Sequence, residues 1–265
     1  MSDSAQFSGS GISGDFPEVL QRYGVTSLPS LSLHGKEFTQ TQATTILAIK
    51  YAGGVLIAGD RRATAGNVVV YDRADKVLEI DRFSVMAIAG VPATAWEMAR
   101  VLEHSFHFYR RTQLQEMSVD GKVRTLSKLL RDNLGLALQG VGVVVPIFAV
   151  YDKDATPGER LYFYDVMGAQ FEVADFAVSG SGSPAVRAVL NYENRWGKKP
   201  LADRNEKEAI SLALRALETA AETDTATGGF DRRANILPIL KTVTKLGVQT
   251  VADNVLTPLY KKGLA

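Results

Sequence analysis

A threonine, an aspartate and a lysine follow one another at equal intervals early in the chain. Thr44 opens an apolar segment, Asp60 lies sixteen residues later, and Lys76 lies sixteen residues after that. A threonine hydroxyl is a weak nucleophile unless a base accepts its proton, and the α-amine of an N-terminal threonine can be that base. A lysine and an aspartate packed beside such an amine would tune its pKa and orient it. The spacing therefore predicts a self-processing hydrolase that discards residues 1–43.

Composition narrows the class of protein. The chain has 265 residues, of which 46% are hydrophobic and 22% are charged, and its formal net charge is +1. Such a balance is typical of a globular protein and creates no strong field for nucleic acid or an anionic membrane. There are no cysteines, so disulfides, thiolate metal sites and a cysteine nucleophile are excluded. We expect no metal and no cofactor, because His104 and His107 lack a carboxylate in register with them.

Residues 1–43 differ from the rest of the chain. They are rich in Gly, Ser, Thr and Pro, with one helix-like segment at 16–23, and we interpret them as a propeptide, with a flexible arm as the alternative. They lack the basic start and apolar run of a secretion signal. No part of the chain approaches the roughly 20 apolar residues of a membrane span. We expect a soluble cytoplasmic protein whose residues 44–265 form one domain.

Apolar periodicity predicts the order strands, two helices, strands, two helices, strands. The predicted strands are 45–51, 54–58, 68–71, 76–80, 83–89, 143–152, 160–165, 174–178, 236–243 and 248–251. The predicted helices are 93–113, with a buried stripe of Trp96, Val101, Leu102 and Phe106; 121–139, with Leu126, Leu129, Leu130, Leu134 and Leu138 on one face; 184–192; and 206–222. This order favours an α+β fold in which two stacked sheets lie between helical layers, over an alternating βαβ fold.

Six short motifs, taken together and in order, resemble those of β-type subunits of the 20S proteasome, in the bacterial branch found in actinobacteria. They are Thr44-Thr45-Ile46, Ala58-Gly59-Asp60-Arg61-Arg62, Lys76, Ala87-Ile88-Ala89-Gly90, Gly180-Ser181-Gly182-Ser183 and Asp224-Thr225-Ala226-Thr227-Gly228-Gly229. The resemblance runs from Thr44 to about residue 250. It implies the four-layer αββα sandwich of N-terminal nucleophile hydrolases, with mainly antiparallel sheets, and a threonine endopeptidase.

The resemblance also implies a role for each motif. Cleavage between Ala43 and Thr44 frees the nucleophile, while Lys76 and Asp60 tune it. The backbone N–H of Gly90 takes the place of the oxyanion donor. Three further residues match positions that hydrogen-bond around the threonine amine and hydroxyl: Ser181, Asp224 and Thr227.

Substrate contacts follow from the same resemblance. Thr64 and Gly90 match backbone that pairs with the substrate as an added strand, in a segment that also includes Pro92. The walls of the pocket for the side chain preceding the cut match Ala63, Ala74, Leu78 and Ile88. These walls are apolar, so we expect a preference for apolar side chains there.

Two residues depart from the family pattern. Ala43 stands where glycine usually precedes the nucleophile, and a Cβ there could hinder the tight turn through which self-cleavage passes. Pro92 stands where alanine is usual, and proline has no N–H to offer the substrate. The first departure bears on how fast the chain matures, and the second on how a substrate lies in the site.

The implied partners are other β subunits in a ring, α-type subunits, an ATP-driven unfoldase ring and polypeptide substrates. Two alternatives stay open: a non-catalytic or permanently unprocessed structural β subunit, and the simpler two-ring bacterial protease, whose second motif usually reads Gly-Asp-Gly. Gly180-Ser181-Gly182-Ser183 could also be a phosphate loop, although it lacks the Lys-Ser/Thr ending. Asp60 and Asp75 could form a glycosidase pair, although nothing nearby provides a sugar platform.

Overall fold

A computed structural model describes residues 44–65 and 68–261, all of which lie within one compact unit spanning Phe38–Ala265. The strands are β1 Thr45–Tyr51, β2 Gly54–Gly59, β3 Ala63–Ala65, β4 Val68–Tyr71, β5 Val77–Asp81, β6 Ser84–Ala87, β7 Ile147–Tyr151, β8 Glu159–Tyr164, β9 Gln170–Glu172, β10 Phe176–Gly180, β11 Ile239–Thr244 and β12 Gly247–Thr250. The α-helices are α1 Pro92–Gln113, α2 Val119–Asp132, α3 Leu134–Leu138, α4 Ser183–Trp196, α5 Glu206–Thr223 and α6 Asp253–Lys261. The predicted propeptide, its helix-like segment and Ala43 lie outside the described residues.

The strands form two five-stranded antiparallel sheets and one small ribbon. The first sheet has the order β10-β1-β2-β11-β12, and the second has the order β5-β6-β7-β8-β9. β3 and β4 pair only with each other, as a two-stranded ribbon. β1 and β2 are joined by the predicted tight turn, in which Gly53 has a φ of +94° that favours glycine.

The two sheets stack face to face, and helices cover both outer faces. Along β1, Leu47 and Ile49 pack toward α4 and α5, whereas Ile46 and Ala48 point into the layer between the sheets. Successive strand side chains point to opposite faces, and here both faces are buried, which explains why β1 reads as a continuous apolar run. The helices α1 and α2 cover the far face of the second sheet. The predicted α+β, four-layer αββα sandwich is confirmed.

The second predicted helix is wrong in its extent. The helix is interrupted at Asn133, between α2 and α3. There the Asn133 side chain donates a hydrogen bond to the carbonyl of Gly142 at 2.5 Å. This bond holds the turn between α2 and α3 against the segment that leads to β7. Leu126 and Leu130 are buried as predicted, but Leu138 is 73% exposed.

The buried stripe of α1 also differs from the prediction. Leu102 and Phe106 are buried, but Trp96 and Val101 are partly exposed. Their places in the core are taken by smaller or more flexible side chains, namely Ala95, Met98 and Ala99. Alanines in a helix face let it approach the sheet closely, a feature that a search for large apolar residues overlooks.

Prolines account for two strand boundaries that were predicted too early. β7 begins after Pro146, and β11 begins after Pro238; proline has no N–H to donate to a strand ladder. The short strands β3 and β9 and the helix α6 were not predicted. Among the helices of residues 44–65 and 68–261, none has the length and apolar composition needed to cross a bilayer.

Candidate active site

The predicted aspartate–lysine pair is buried where the central strand of the first sheet, β2, ends. Asp60 directly follows β2 and is 0% exposed, and Lys76, which precedes β5, is 4% exposed. Lys76 Nζ lies 2.7 Å from Asp60 Oδ1. The same oxygen accepts the backbone N–H of Thr45 at 2.8 Å. The pair therefore reaches the residue immediately after the predicted nucleophile.

The second oxygen of the Asp60 carboxylate is equally occupied. Oδ2 accepts the backbone N–H groups of Arg62 and Gly228, each at 2.9 Å. With the bonds from Lys76 and Thr45, the carboxylate has four donors. A buried carboxylate needs this much compensation for the water it has lost.

The pKa of Lys76 depends on two opposing influences, its burial and its contact with Asp60. Loss of hydration lowers the pKa of Lys76 below its ordinary value of 10.5, and the charge and hydrogen bond of Asp60 oppose that shift. The ammonium also donates to the carbonyl of Arg62 at 2.5 Å. Lys76 is therefore held by Asp60 while giving up its proton more readily than an exposed lysine.

Thr44 is 4% exposed and stands just before β1. Its carbonyl accepts the N–H of Ser181 at 3.0 Å, and the next N–H, that of Thr45, donates to Asp60. Both sides of the Thr44–Thr45 peptide plane are thus fixed. Gly180, opposite Thr45 in the β1–β10 pairing, has a φ of +95°, and a Cβ there would lie 1.7 Å from the Thr44 oxygen. Only glycine allows the two strands to approach this closely.

Ser181, Asp224 and Thr227 form a hydroxyl–carboxylate cluster. The hydroxyls of Ser181 and Thr227 donate to Asp224 Oδ2 at 2.6 and 2.5 Å, and the N–H of Ala226 donates to Oδ1 at 3.1 Å. Partial burial alone would raise the pKa of Asp224, but the bonds from Ser181 and Thr227 outweigh it and lower the pKa below its usual value. Asp224 is therefore ionised at neutral pH.

Gly90 adopts a conformation that favours glycine, with a φ of +112°. It forms a bridge with Val144 in which the flanking residues make the bonds: Val91 N–H to the Val143 carbonyl at 2.8 Å and Val145 N–H to the Ala89 carbonyl at 2.9 Å. In this antiparallel pattern the N–H of Gly90 points away from Val144.

The direction in which the Gly90 N–H points follows from its neighbour. The N–H of Ile88, two residues earlier, donates to the carbonyl of Lys76 at 2.9 Å. In the trans peptide that joins Ala89 and Gly90, the N–H points opposite to the Ala89 carbonyl, which faces Val145. The N–H of Gly90 is therefore directed to the side of the segment on which Lys76 lies.

The predicted substrate-contacting residues fall in three places. Ala63 and Thr64 form β3, opposite Tyr71 and Val69 of β4. Ala74 is buried, and its N–H donates to the carbonyl of Arg61 at 2.9 Å.

Leu78 and Ile88 come together in the apolar layer beneath α1, and Pro92 begins that helix. Leu78 also lines a cavity of about 340 Å³ together with Trp96, whose indole N–H donates to the carbonyl of Asp75 at 3.2 Å. Trp96, predicted as a core residue, is thus part of the wall around Leu78.

Two residues of the site were not predicted, although both stand in motifs quoted above. Thr45 bonds to Asp60 through its backbone and to Thr227 through its side chain, with 2.6 Å between the two hydroxyl oxygens. The guanidinium of Arg62 donates to the carbonyls of Thr225 and Thr227 at 2.9 and 3.1 Å. The only signal in the sequence is that Thr45 directly follows Thr44 and that Arg62 lies two residues after Asp60.

No group of three or more His, Asp or Glu side chains suited to a metal ion occurs within 44–65 and 68–261. The phosphate-loop and glycosidase alternatives also lose support. Gly182, in the glycine-rich segment, donates its N–H to the Thr45 hydroxyl at 3.0 Å rather than facing an open cradle. Asp75 accepts the N–H of Val77 at 3.0 Å, and Asp60 is saturated by other donors.

Comparison with known proteins places these motifs in context. The family described as "Proteasome subunit" matches residues 40–234. The chain is 36% identical to "Proteasome subunit beta" of Acidimicrobium ferrooxidans over 239 residues, covering 90% of this chain and 85% of that protein. It is 41% identical to "Proteasome subunit beta 2" of Thermomonospora curvata over 210 residues, covering 79% and 72%. For "Proteasome subunit beta" of Streptomyces griseus the values are 36% over 242 residues, covering 91% and 82%.

Proposed function

The chain belongs to the proteasome subunit family, with β-type subunits of actinobacteria among its relatives, and from this premise we propose that it is a threonine endopeptidase. Thr44 is the nucleophile once the Ala43–Thr44 bond has been cut. The observation that carries the proposal is the buried Asp60 carboxylate, which holds Lys76 and the N–H following Thr44 on a single oxygen.

The proposed reaction has two stages. The hydroxyl of Thr44 attacks the scissile carbonyl carbon while the free α-amine of the same residue accepts its proton. The amine returns that proton to the departing peptide nitrogen, leaving an acyl-enzyme ester on Thr44. A water molecule, deprotonated by the same amine, then hydrolyses the ester and restores the hydroxyl. An ordinary α-amine titrates at about 7.7–8.0, so it can do both near neutral pH.

Lys76 and Asp60 tune this base. A positive charge on Lys76 beside the α-amine favours the neutral form of that amine, which is the form able to accept a proton. The same charge stabilises negative charge developing on the hydroxyl oxygen. Asp60 holds the ammonium in place and, through the N–H of Thr45, fixes the backbone from which the nucleophile projects.

Gly90 is proposed as the oxyanion donor. Its N–H is directed to the side of Lys76, and its positive φ and close approach to Val143 leave no room for a side chain. A single donor of this kind contributes on the order of 3 kcal/mol to transition-state stabilisation in other hydrolases.

Ser181, Asp224 and Thr227 are proposed to order the α-amine and hydroxyl of the cleaved chain. Their cluster touches the Thr44 backbone, since the Ser181 N–H donates to the Thr44 carbonyl. The ionised Asp224 also lies close enough to Lys76 for each charge to favour the other. The cluster thereby supplies a negative charge near the nucleophile that also stabilises the positive charge of Lys76.

A substrate is proposed to lie as an added strand along Thr64 and Gly90, with the side chain before the cut near Ala63, Ala74, Leu78 and Ile88. Those walls favour an apolar side chain. Pro92 contributes at most its carbonyl to such pairing, because it has no N–H.

Maturation and assembly complete the proposal. Members of this family assemble with other proteasome subunits. For this chain we propose a ring of β copies, outer rings of α-type subunits and an ATP-driven unfoldase that delivers polypeptides in the cytoplasm. Ala43 in place of glycine is expected to slow the cut before Thr44. A chain that was never cut would behave as a structural subunit, which is the alternative to be tested.

A labelled epoxyketone or β-lactone probe distinguishes an active threonine peptidase from an uncut structural subunit. Such a probe reacts with an activated N-terminal threonine and marks the residue that carries the nucleophile. Labelling confined to Thr44 in the assembled, processed particle, and absent from Thr44→Ala, supports the peptidase. A processed chain that stays unlabelled under the same conditions would contradict the proposed peptidase activity.

A further inference from the structure

We propose that Thr45 is a positioning residue, whose hydroxyl joins the two halves of the site behind the nucleophile. Thr45 is 0% exposed and directly follows Thr44. Its backbone N–H belongs to the Asp60 cluster, and its side chain belongs to the cluster around Asp224. Arg62 also contacts both clusters, but it does so from outside β1. The inference rests on the proposed function, since it concerns how that nucleophile is held.

The directions of the hydrogen bonds can be deduced. The single hydroxyl hydrogen of Thr227 is donated to the Asp224 carboxylate at 2.5 Å. The Thr227 oxygen, 2.6 Å from the Thr45 oxygen, is therefore left to accept, and Thr45 must be its donor. The Thr45 oxygen in turn accepts the N–H of Gly182 at 3.0 Å. The result is a directed chain from Gly182 through Thr45 and Thr227 to Asp224.

This chain has a geometric consequence for Thr44. The Thr44 carbonyl is held by Ser181, which precedes Gly182, while the Thr45 hydroxyl is held by Gly182 itself. Ser181 and Gly182 are consecutive residues, and they hold two consecutive residues, Thr44 just before β1 and Thr45 at its start. Together with the bond from the Thr45 N–H to Asp60, these bonds restrict the movement of the backbone that carries the Thr44 side chain. Small misplacements of a reacting group reduce rates steeply.

The test compares variants of the full chain within the assembled particle. Thr45→Val is nearly isosteric but cannot donate to Thr227 or accept from Gly182. Thr45→Ser keeps both bonds and loses only a methyl group. Ile46→Val, which removes one methylene from the next buried position, is the matched packing control.

We expect Thr45→Val to lower the rate constant for probe labelling at Thr44 and the kcat for a peptide by roughly 10- to 100-fold, with KM changed by less than about threefold. Thr45→Ser and Ile46→Val should stay within about threefold of the parent chain. If Thr45→Val does not assemble, Thr45→Cys, whose thiol is a weak donor and acceptor, should assemble and show a smaller loss of the same kind.

Three results would overturn the inference. One is a folded, processed Thr45→Val whose labelling rate equals that of the parent chain. Another is a Thr45→Ser as slow as Thr45→Val, which would assign the loss to packing rather than to the hydroxyl. A third is a processed parent chain that does not label at all. That result would refute the proposed function as well, whereas the first two leave it standing.

Discussion

Replacing Asp60 by asparagine removes the charge while keeping the shape, and the contacts of Asp60 allow its cost to be worked out. One carboxylate oxygen accepts from Lys76 and Thr45, and the other accepts from Arg62 and Gly228. Asparagine offers one accepting oxygen and one donating NH₂. Whichever way the amide is turned, the NH₂ faces two donors that it cannot satisfy.

The magnitude follows from the burial of the pair. Removing one partner of a buried ion pair costs about 3–5 kcal/mol, because the remaining charge is left without compensation. We therefore expect Asp60→Asn to lower the free energy of unfolding by about 3–5 kcal/mol. Adding Lys76→Met should recover part of that loss, because the double variant no longer buries an unpaired charge. The two substitutions should thus be strongly non-additive.

Urea unfolding at neutral pH and one fixed protein concentration measures the free energy of unfolding of four chains: the parent, Asp60→Asn, Lys76→Met and the double variant. All four chains should carry Thr44→Ala, so that self-cleavage does not change their length. An Asp60→Asn variant that lost less than about 1 kcal/mol would contradict the buried, charge-compensated pair. So would a double variant whose loss equalled the sum of the two single losses.

Two further predictions concern a glycine and the buried tyrosines. In peptidase and thermal-melting assays, Gly180→Ala should prevent folding or reduce activity by roughly 100-fold or more, because displacing a reacting group lowers the rate steeply. The added Cβ would lie 1.7 Å from the Thr44 carbonyl oxygen. Gly135→Ala is the control and should have no effect in the same assays, because nothing lies within 4 Å of its added Cβ. Burial raises the pKa of four tyrosines, to about 12 for Tyr162 and higher for Tyr51, Tyr164 and Tyr260. Above pH 10 the unfolded tyrosines release protons that the folded ones keep, so their contribution to stability falls as pH rises through the interval from 10 to about 12. Tyr164→Phe should reduce that fall by up to about 1.4 kcal/mol per pH unit in urea titrations, and an unchanged slope would contradict the assignment.

Much of the fold could be predicted from the sequence because its strongest signals are local. β1 and β2 are apolar runs joined by a glycine turn, and α5 has a clear helical periodicity, so these elements were predicted within one or two residues. The weak points were elements whose formation depends on tertiary contacts. β3 has only three residues and exists because β4 pairs with it, and neither periodicity nor composition announces such a ribbon.

The site was predictable in its residue types but not in its connections. The order of Thr44, Asp60 and Lys76 pointed to one site, and the structure brings Asp60 and Lys76 to 2.7 Å. The contact of the Thr45 hydroxyl is not predictable because an apolar run indicates that a strand is buried, not which hydroxyl a side chain in it contacts. Its partner Thr227 is 182 residues away in sequence. Contacts over such distances follow from packing, which a single sequence does not display.

We propose that this chain cuts itself before Thr44 and then acts through the freed threonine. The most direct test is the intact mass of the purified chain before and after incubation with its α-type partner. We expect loss of the mass of residues 1–43, with Thr44 as the new N-terminus, and faster loss in Ala43→Gly. A chain that kept its full mass even as Ala43→Gly, in an assembled particle, would contradict the self-processing mechanism.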